Sequence, residues 1–291
     1  MPRLSARGDA NAYSTGMIGK HAVVLAASSA SACALSFPEI RLALIVGICG
    51  GVPFMKQDKE ILLGDVAISD DGLVPNQFLR KDSILDSPGK PGAEITAFLS
   101  KLKGYRSNRC LHDSTWTHLL KLQEYLGEPS FHPGVEDKLF EPNYRHKRQI
   151  PGTCEICLEK RIARYLVCET ALTSTCEELH CDSGKLMSRK RFAAAASRDE
   201  LTKGPGGLVH PRPMVHFGLI ASGDRVMKSG EDCDIIAKRE NIIAFEMEGV
   251  GGICNYADSH KSERWQGYAA ATAAACTKAL LEQWMGRGTR S

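Results

Sequence analysis

The chain lacks any run of about 18 apolar residues, the length that a membrane-crossing helix needs. No span is therefore expected. Its opening, MPRLSARGDANAYSTG, lacks the apolar core of a secretory signal, so a cytoplasmic protein is expected, with the nucleus as the alternative. Neither sign of charge prevails: the net charge is +3 over 291 residues, too little to argue for nucleic acid or an anionic membrane as partner. There is no internal repeat, and no G-x-G-x-x-G fingerprint to argue for a dinucleotide. Cysteine is not scarce. The chain has 11, an odd count, read as reduced thiols in the absence of an export signal. A composition of 43% hydrophobic and 24% charged residues is that of a globular fold, and the length suffices for one large α/β domain.

Periodicity sketches the order of elements. Tyr13 to Ala26 reads as a hairpin with turns marked by Gly16 and Gly19. Leu42 to Val46 (LALIV) is a continuous apolar run that predicts a strand buried on both faces. It leads into a glycine-rich turn, Gly47 to Gly51. Ile61 to Ser69 is the next expected strand, and helices are expected at Ala93 to Lys103 and Thr115 to Leu126. Residues 128–207 are rich in Pro, Cys and charge and read as an insertion that adds no strand to the central sheet. Met214 to Ala221 and Ile242 to Glu246 predict strands, with a helix from Lys228 to Glu240 between them. The Ala-rich stretch from Gln266 to Met285 predicts a closing helix. Strands alternating with helices give an α/β class.

Four places have chemical potential. The turn holding Gly47, Cys49, Gly50 and Gly51 lets backbone N–H groups approach an anion, or is simply a tight turn at a sheet edge. The strand ending in Ser222-Gly223-Asp224 presents a hydroxyl and a carboxylate where ligands of open α/β sheets bind, or supplies a helix N-cap. The run Phe245-Glu246-Met247-Glu248 pairs two carboxylates around a methionine. A carboxylate accepts bonds from both hydroxyls of a ribose while a Met packs on its apolar face; the alternative is a pair of surface acids opening a helix. The fourth is Asn255-Tyr256-Ala257-Asp258, followed by Ser259-His260-Lys261.

In order and wording these motifs resemble the nucleoside phosphorylase and nucleosidase superfamily, most closely its fungal branch fused to NACHT or ankyrin modules. Val46 to Pro53, Leu63 to Val66 and Ile242 to Leu281 carry the likeness. The resemblance implies a three-layer αβα sandwich with a mixed, mostly parallel central sheet, as one domain over 13–285 with tails at 1–12 and 286–291. It implies cleavage of the N-ribosyl bond of a purine nucleoside by phosphate or water. Glu248 would hold the ribose with Met247 packing on it, Phe245 and Glu246 beside them. Ser222, Gly223, Asp224, Val226 and Met227 would flank the base. Gly47, Cys49, Gly50 and Gly51 would lie at the phosphate or attacking water. No cofactor is implied, only inorganic phosphate as a candidate co-substrate. The partner would be a small nucleoside, with homo-oligomers compatible.

The departures from that pattern bear on activity. The position of the acid that protonates the leaving purine reads Asn255 here, and an amide has no proton to deliver. An N-terminal strand with acidic residues has no counterpart before Tyr13. Only the six residues Gly249 to Cys254 stand where relatives place a helix and a strand, so either a central strand is lost or the sheet is rewired. Cleavage is expected to be impaired, and a non-catalytic nucleoside-binding or sensor module of a fungal signalling protein is the alternative. Gly64, where some phosphorylases carry Arg, leans toward the hydrolytic type. Cys154-x2-Cys157 with Cys168, Cys176, His180 and Cys181 is compatible with structural zinc. The set lacks a clean second CxxC or HxxxH, so buried thiols are the preferred reading and no metal is assigned.

Overall fold

The computed structural model describes residues 12–26, 36–56, 59–75, 92–133, 135–146, 174–198, 201–203, 207–222, 227–245, 250–260 and 263–285. The Ser/Ala-rich stretch expected to be a short helix at 28–35 lies outside them. The chain opens with the expected hairpin, β1 (Tyr13–Ile18) against β2 (His21–Ala26), in register from Tyr13↔Ala26 to Ile18↔His21. The turn is at Gly19, with φ +58°; Gly16 sits within β1.

The next strand is displaced from its expected place. Leu42 to Ile45 is irregular, and β3 is Val46–Gly51, the glycine-rich stretch itself. Its partner is β9 (Val250–Asn255), also glycine-rich, which runs parallel from Val46↔Val250 to Gly50↔Asn255. The glycines are a packing requirement. A Cβ on Gly51 would meet Ile253 Cγ2 at 2.7 Å, one on Gly251 would meet Cys49 Sγ at 2.6 Å, and one on Gly252 would fall 1.9 Å from the Ala269 carbonyl oxygen. That carbonyl belongs to the closing helix, α5 (Gln266–Gln283), which buries Tyr268, Ala269, Ala271, Thr272, Ala273, Ala275, Cys276, Ala279 and Leu280. Its alanines set helix propensity and also let its backbone rest directly on the β9 backbone.

The expected strand from Ile61 begins later, as β4 (Val66–Pro75). Ile61 to Asp65 is instead a buried turn around Gly64, at φ +86°, where a Cβ would strike Tyr268 Cε1 at 2.3 Å. Glycine at 64 therefore has a local steric cause. Two helices follow, α1 (Ala93–Lys103) as expected and α2 (Tyr105–Leu126), one continuous helix ending at Gly127 in the left-handed region. Among the described residues of 128–207 there is one α-helix, α3 (Lys190–Ser197), with 3-10 turns at Pro129–Phe131 and Ser183–Lys185, and one strand, β5 (Leu201–Lys203). β5 pairs only with β6 (Val209–Pro211). The chain continues with β7 (Val215–Ser222), α4 (Gly230–Glu240) capped by Ser229, and β8 (Ile242–Phe245).

The sheet is mixed, as expected, but closes into a barrel. Five strands close on themselves in the order β3-β8-β7-β4-β9. Three pairings are parallel (β3–β9, β4–β7, β7–β8) and two antiparallel (β3–β8, β4–β9). The short segment after Glu248 leads straight into Val250–Asn255, which is itself a barrel strand. The barrel, α2 and α5 share a core that includes Ile61, Leu119, Ile253, Trp265 and Tyr268, each at most 1% exposed. No described helix is long and apolar enough to cross a membrane.

Candidate functional site

Barrel closure gathers the ends of four strands. Gly50 is the register partner of both Phe245 and Asn255, and Phe245 is the partner of Ala221. Gly50 and Gly51 at the end of β3, Ala221 of β7, Phe245 of β8 and Asn255 of β9 are therefore neighbours. Met227 packs against a cluster that includes Val52, Ala221, Phe245 and Ala257. Of the expected site residues, the structure thus brings together Gly50, Gly51, Met227, Phe245 and Asn255. Gly47 and Cys49 lie one and three residues along β3, with Cys49 buried. Ser222 ends β7 and pairs with Pro75. Gly223, Asp224, Val226, Glu246, Met247 and Glu248 lie outside the described residues.

Asn255 is held tightly. Its Oδ1 accepts the Ala257 N–H at 2.9 Å, and its Nδ2 donates to Cys254 Sγ at 3.2 Å. Oδ1 also lies 3.0 Å from the place a Gly50 Cβ would take. Ala257, at φ +57°, sits in a region unusual for alanine, so this turn is shaped by what surrounds it. Asp258 accepts the His260 N–H at 3.0 Å and lies 3.5 Å from His260 Nδ1. Its carboxylate serves the turn.

Two buried polar networks not anticipated from the motifs lie elsewhere in the barrel, the first beside the Asn255 turn and the second toward the start of β7. In the first, the Tyr256 hydroxyl donates to Asp137 at 2.6 Å and accepts from Arg189 at 2.8 Å. Asp137 also accepts the Leu63 N–H at 3.0 Å, and the Arg189 guanidinium lies over the Tyr256 and Phe54 rings. Burial, and then the Asp137 carboxylate, push the Tyr256 hydroxyl well above its ordinary pKa, so it stays a neutral donor. In the second network Asp65, wholly buried, accepts from Leu62 N at 2.9 Å, Met214 N at 2.8 Å, His216 Nε2 at 2.8 Å and both terminal nitrogens of Arg191. Burial alone would raise its pKa; Arg191 and His216 outweigh burial and hold it far below the usual carboxylate range. Glu60 closes the α3 N-terminus by accepting the Lys190 and Arg191 N–H groups at 2.9 and 2.7 Å. No spacing signal marks these partners, because Tyr256 and Asp137 are 119 residues apart and Arg191 and Asp65 are 126 apart.

A cavity of about 670 Å³ opens at the opposite end of β7, lined by Lys59, Glu60, His112, Lys190, Arg191 and His216 among others. It does not reach the strand ends that hold Asn255. Two of its cations are paired, Lys103 with Asp70 and Arg191 with Asp65.

No protein-family model matches the chain. A nucleotide-binding leucine-rich repeat (NLR)-like protein of Hyaloscypha variabilis is 27% identical over 94% of the chain, which spans 26% of that protein. The 5'-methylthioadenosine/S-adenosylhomocysteine nucleosidase of Neisseria meningitidis, solved with methylthio-immucillin-A, aligns with a TM-score of 0.38 at 14% identity, over 96% of this chain and 89% of that one. The MTA/SAH nucleosidase of Streptococcus pneumoniae, solved with 8-aminoadenine, aligns with a TM-score of 0.37 at 15% identity, over 94% and 87%.

Proposed function

We propose that the chain is a purine-nucleoside-binding domain of the phosphorylase and nucleosidase type with impaired N-ribosyl cleavage. The observation that carries this reading is Asn255, set beside Gly50 and Phe245 at the joined strand ends. In this reading Phe245 and Met227 form the apolar wall of the base site, with Ser222, Gly223, Asp224 and Val226 completing it. Glu248, with Glu246 and Met247, takes the ribose, and Gly47 to Gly51 border the phosphate or water. The domain covers 13–285, with 128–207 as an insertion, and uses no cofactor. Cleaving the bond needs a proton on the departing purine. The Asn255 amide supplies none, and both its heteroatoms are already bonded to protein. Loss of a general acid typically costs about 10²–10⁴ in rate.

A second reading, a sensor module of a larger fungal signalling protein, is supported by the NLR-like relative, of which the chain spans about a quarter. One experiment separates the two. Base release from adenosine, inosine and methylthioadenosine is followed with and without phosphate, alongside calorimetric binding of the same nucleosides. Slow release supports impaired cleavage, and binding without release supports the sensor. Neither binding nor release would sink both.

A further inference from the structure

Behind the Asn255 turn, three chain regions converge through sulfur and nitrogen. The ligand atoms of His146, Cys176 and Cys181 all lie within 4.8 Å of one another. Their backbone is folded to that end. The Cys181 N–H donates to the Cys176 carbonyl at 2.9 Å, closing a turn that puts both thiols on one side. Thr175 and Glu178 reinforce the turn with reciprocal bonds of 2.7 and 3.2 Å, and His180 adopts φ +52° within it. Neither thiol is in a disulfide. His146 is 1% exposed and is anchored by its N–H to Ser259 Oγ at 3.1 Å.

A fourth donor stands close by. The His260 ring lies 4.8 Å from that of His146 and is stacked at 4.3 Å on Phe140. Its Nδ1 faces Asp258 Oδ2 at 3.5 Å, the carboxylate–histidine pairing that orients imidazoles toward metal ions.

We propose that His146, Cys176, Cys181 and His260 form a structural zinc site. Two thiolates and two imidazoles are a donor set suited to tetrahedral zinc. Zinc–sulfur and zinc–nitrogen bonds of about 2.3 and 2.0 Å set neighbouring ligand atoms roughly 3.4–3.8 Å apart; His146, Cys176 and Cys181 lie within 4.8 Å of one another, and the His260 ring would turn toward them to complete the set. The set keeps Cys176 and Cys181 of the sequence cluster, in a Cys-x4-Cys turn, and takes its histidines from elsewhere in the fold. Cys154, Cys157 and Cys168 lie outside the described residues. The ion would tie both flanks of residues 147–173 to the turn that carries Asp258, a few residues beyond Asn255.

The test is metal analysis of the full chain, purified without chelator, with thiol titration in denaturant. About one zinc per chain and free, unoxidised thiols are expected. Cys176→Ser, Cys181→Ser and His146→Ala should each abolish stoichiometric zinc, while Cys110→Ser, at an exposed thiol, should keep it. Should the serine variants fail to fold, Cys181→His retains ligand chemistry. It should still bind cobalt(II), with the thiolate-to-cobalt absorption of the wild type about halved. Metal-free wild type, a Cys176–Cys181 disulfide, or zinc kept by Cys176→Ser but lost in a Cys154→Ser/Cys157→Ser variant would each overturn the proposal. Undiminished zinc affinity in His260→Ala would overturn the fourth ligand.

Discussion

Arg191→Met removes the guanidinium from Asp65 and leaves a carboxylate with 0% exposure facing Leu62 N, Met214 N and His216 Nε2 alone. Taking one partner from a buried ion pair costs about 3–5 kcal/mol. The three remaining donors still solvate the charge, which favours the low end, about 3 kcal/mol. At roughly 2–4 °C per kcal/mol for a domain of this size, the melting midpoint should fall by about 6–12 °C. Urea unfolding followed by tryptophan fluorescence reads the loss directly, because Trp265 and Trp284 are 1% and 5% exposed. Asp65→Asn combined with Arg191→Met should cost less than the sum of the single changes, since the two side chains share one network. The effect also has a pH signature. Asp65 has its pKa depressed in the fold, so its contribution is complete above the unfolded value of about 3.9 and is lost as pH falls below it. Without Arg191 the folded pKa rises, and the gap between variant and wild type should narrow below about pH 4. A loss under about 1 kcal/mol, or a gap that stays constant into acid, would refute the reasoning.

Other changes probe the strand ends and the packing beneath them. Asn255→Asp should raise purine release at least about tenfold while turnover stays well under the median enzyme value of about 10 s⁻¹; wild-type turnover already near that median would show the acid position to be irrelevant. Gly252→Ala places a methyl 1.9 Å from the Ala269 carbonyl and should cost about 1–3 kcal/mol or more. Gly92→Ala, with nothing within 4 Å, should stay within about 0.5 kcal/mol, and equal melting shifts for the two would contradict the close-packing account. Tyr256→Phe deprives Asp137 and Arg189 of their shared hydroxyl and should cost about 1–3 kcal/mol in chemical denaturation; an unchanged midpoint would mean that water replaces the phenol.

Local patterns were legible where local forces decide. The β1–β2 hairpin, α1 and α5 follow from alternation, three-to-four spacing and Ala content, whereas the α4 cap is Ser229, accepting the Asp232 N–H, and not the Ser222-Gly223-Asp224 stretch. The misplaced elements were decided by distant neighbours. LALIV has the composition of a buried strand, yet β3 begins at Val46 because only its glycines allow β9 and Ile253 so close. ILLGD reads as a strand start, yet Asp65 bonds back to Leu62 N and Gly64 turns the chain. The closure of the barrel through Gly50↔Phe245 has no short-range signature at all. Asn255 stood out by its motif, whereas Asp137, Arg189 and Arg191 lay in a charge-rich stretch whose partners only the fold reveals.

A ring of paired strands offers nothing to an incoming strand. In an open sheet the outermost backbone amides and carbonyls invite another chain to add itself, which is how many domains recruit peptides and also how they aggregate. Here all five barrel strands have neighbours on both sides. Among the described residues, the two ribbons, β1–β2 and β5–β6, each have a strand edge outside the barrel. On β1 and β2, Met17 and Leu25 are each 65% exposed. A neighbour that binds by sheet extension would find such an edge on a ribbon, and charged substitutions there would block that contact without disturbing the barrel.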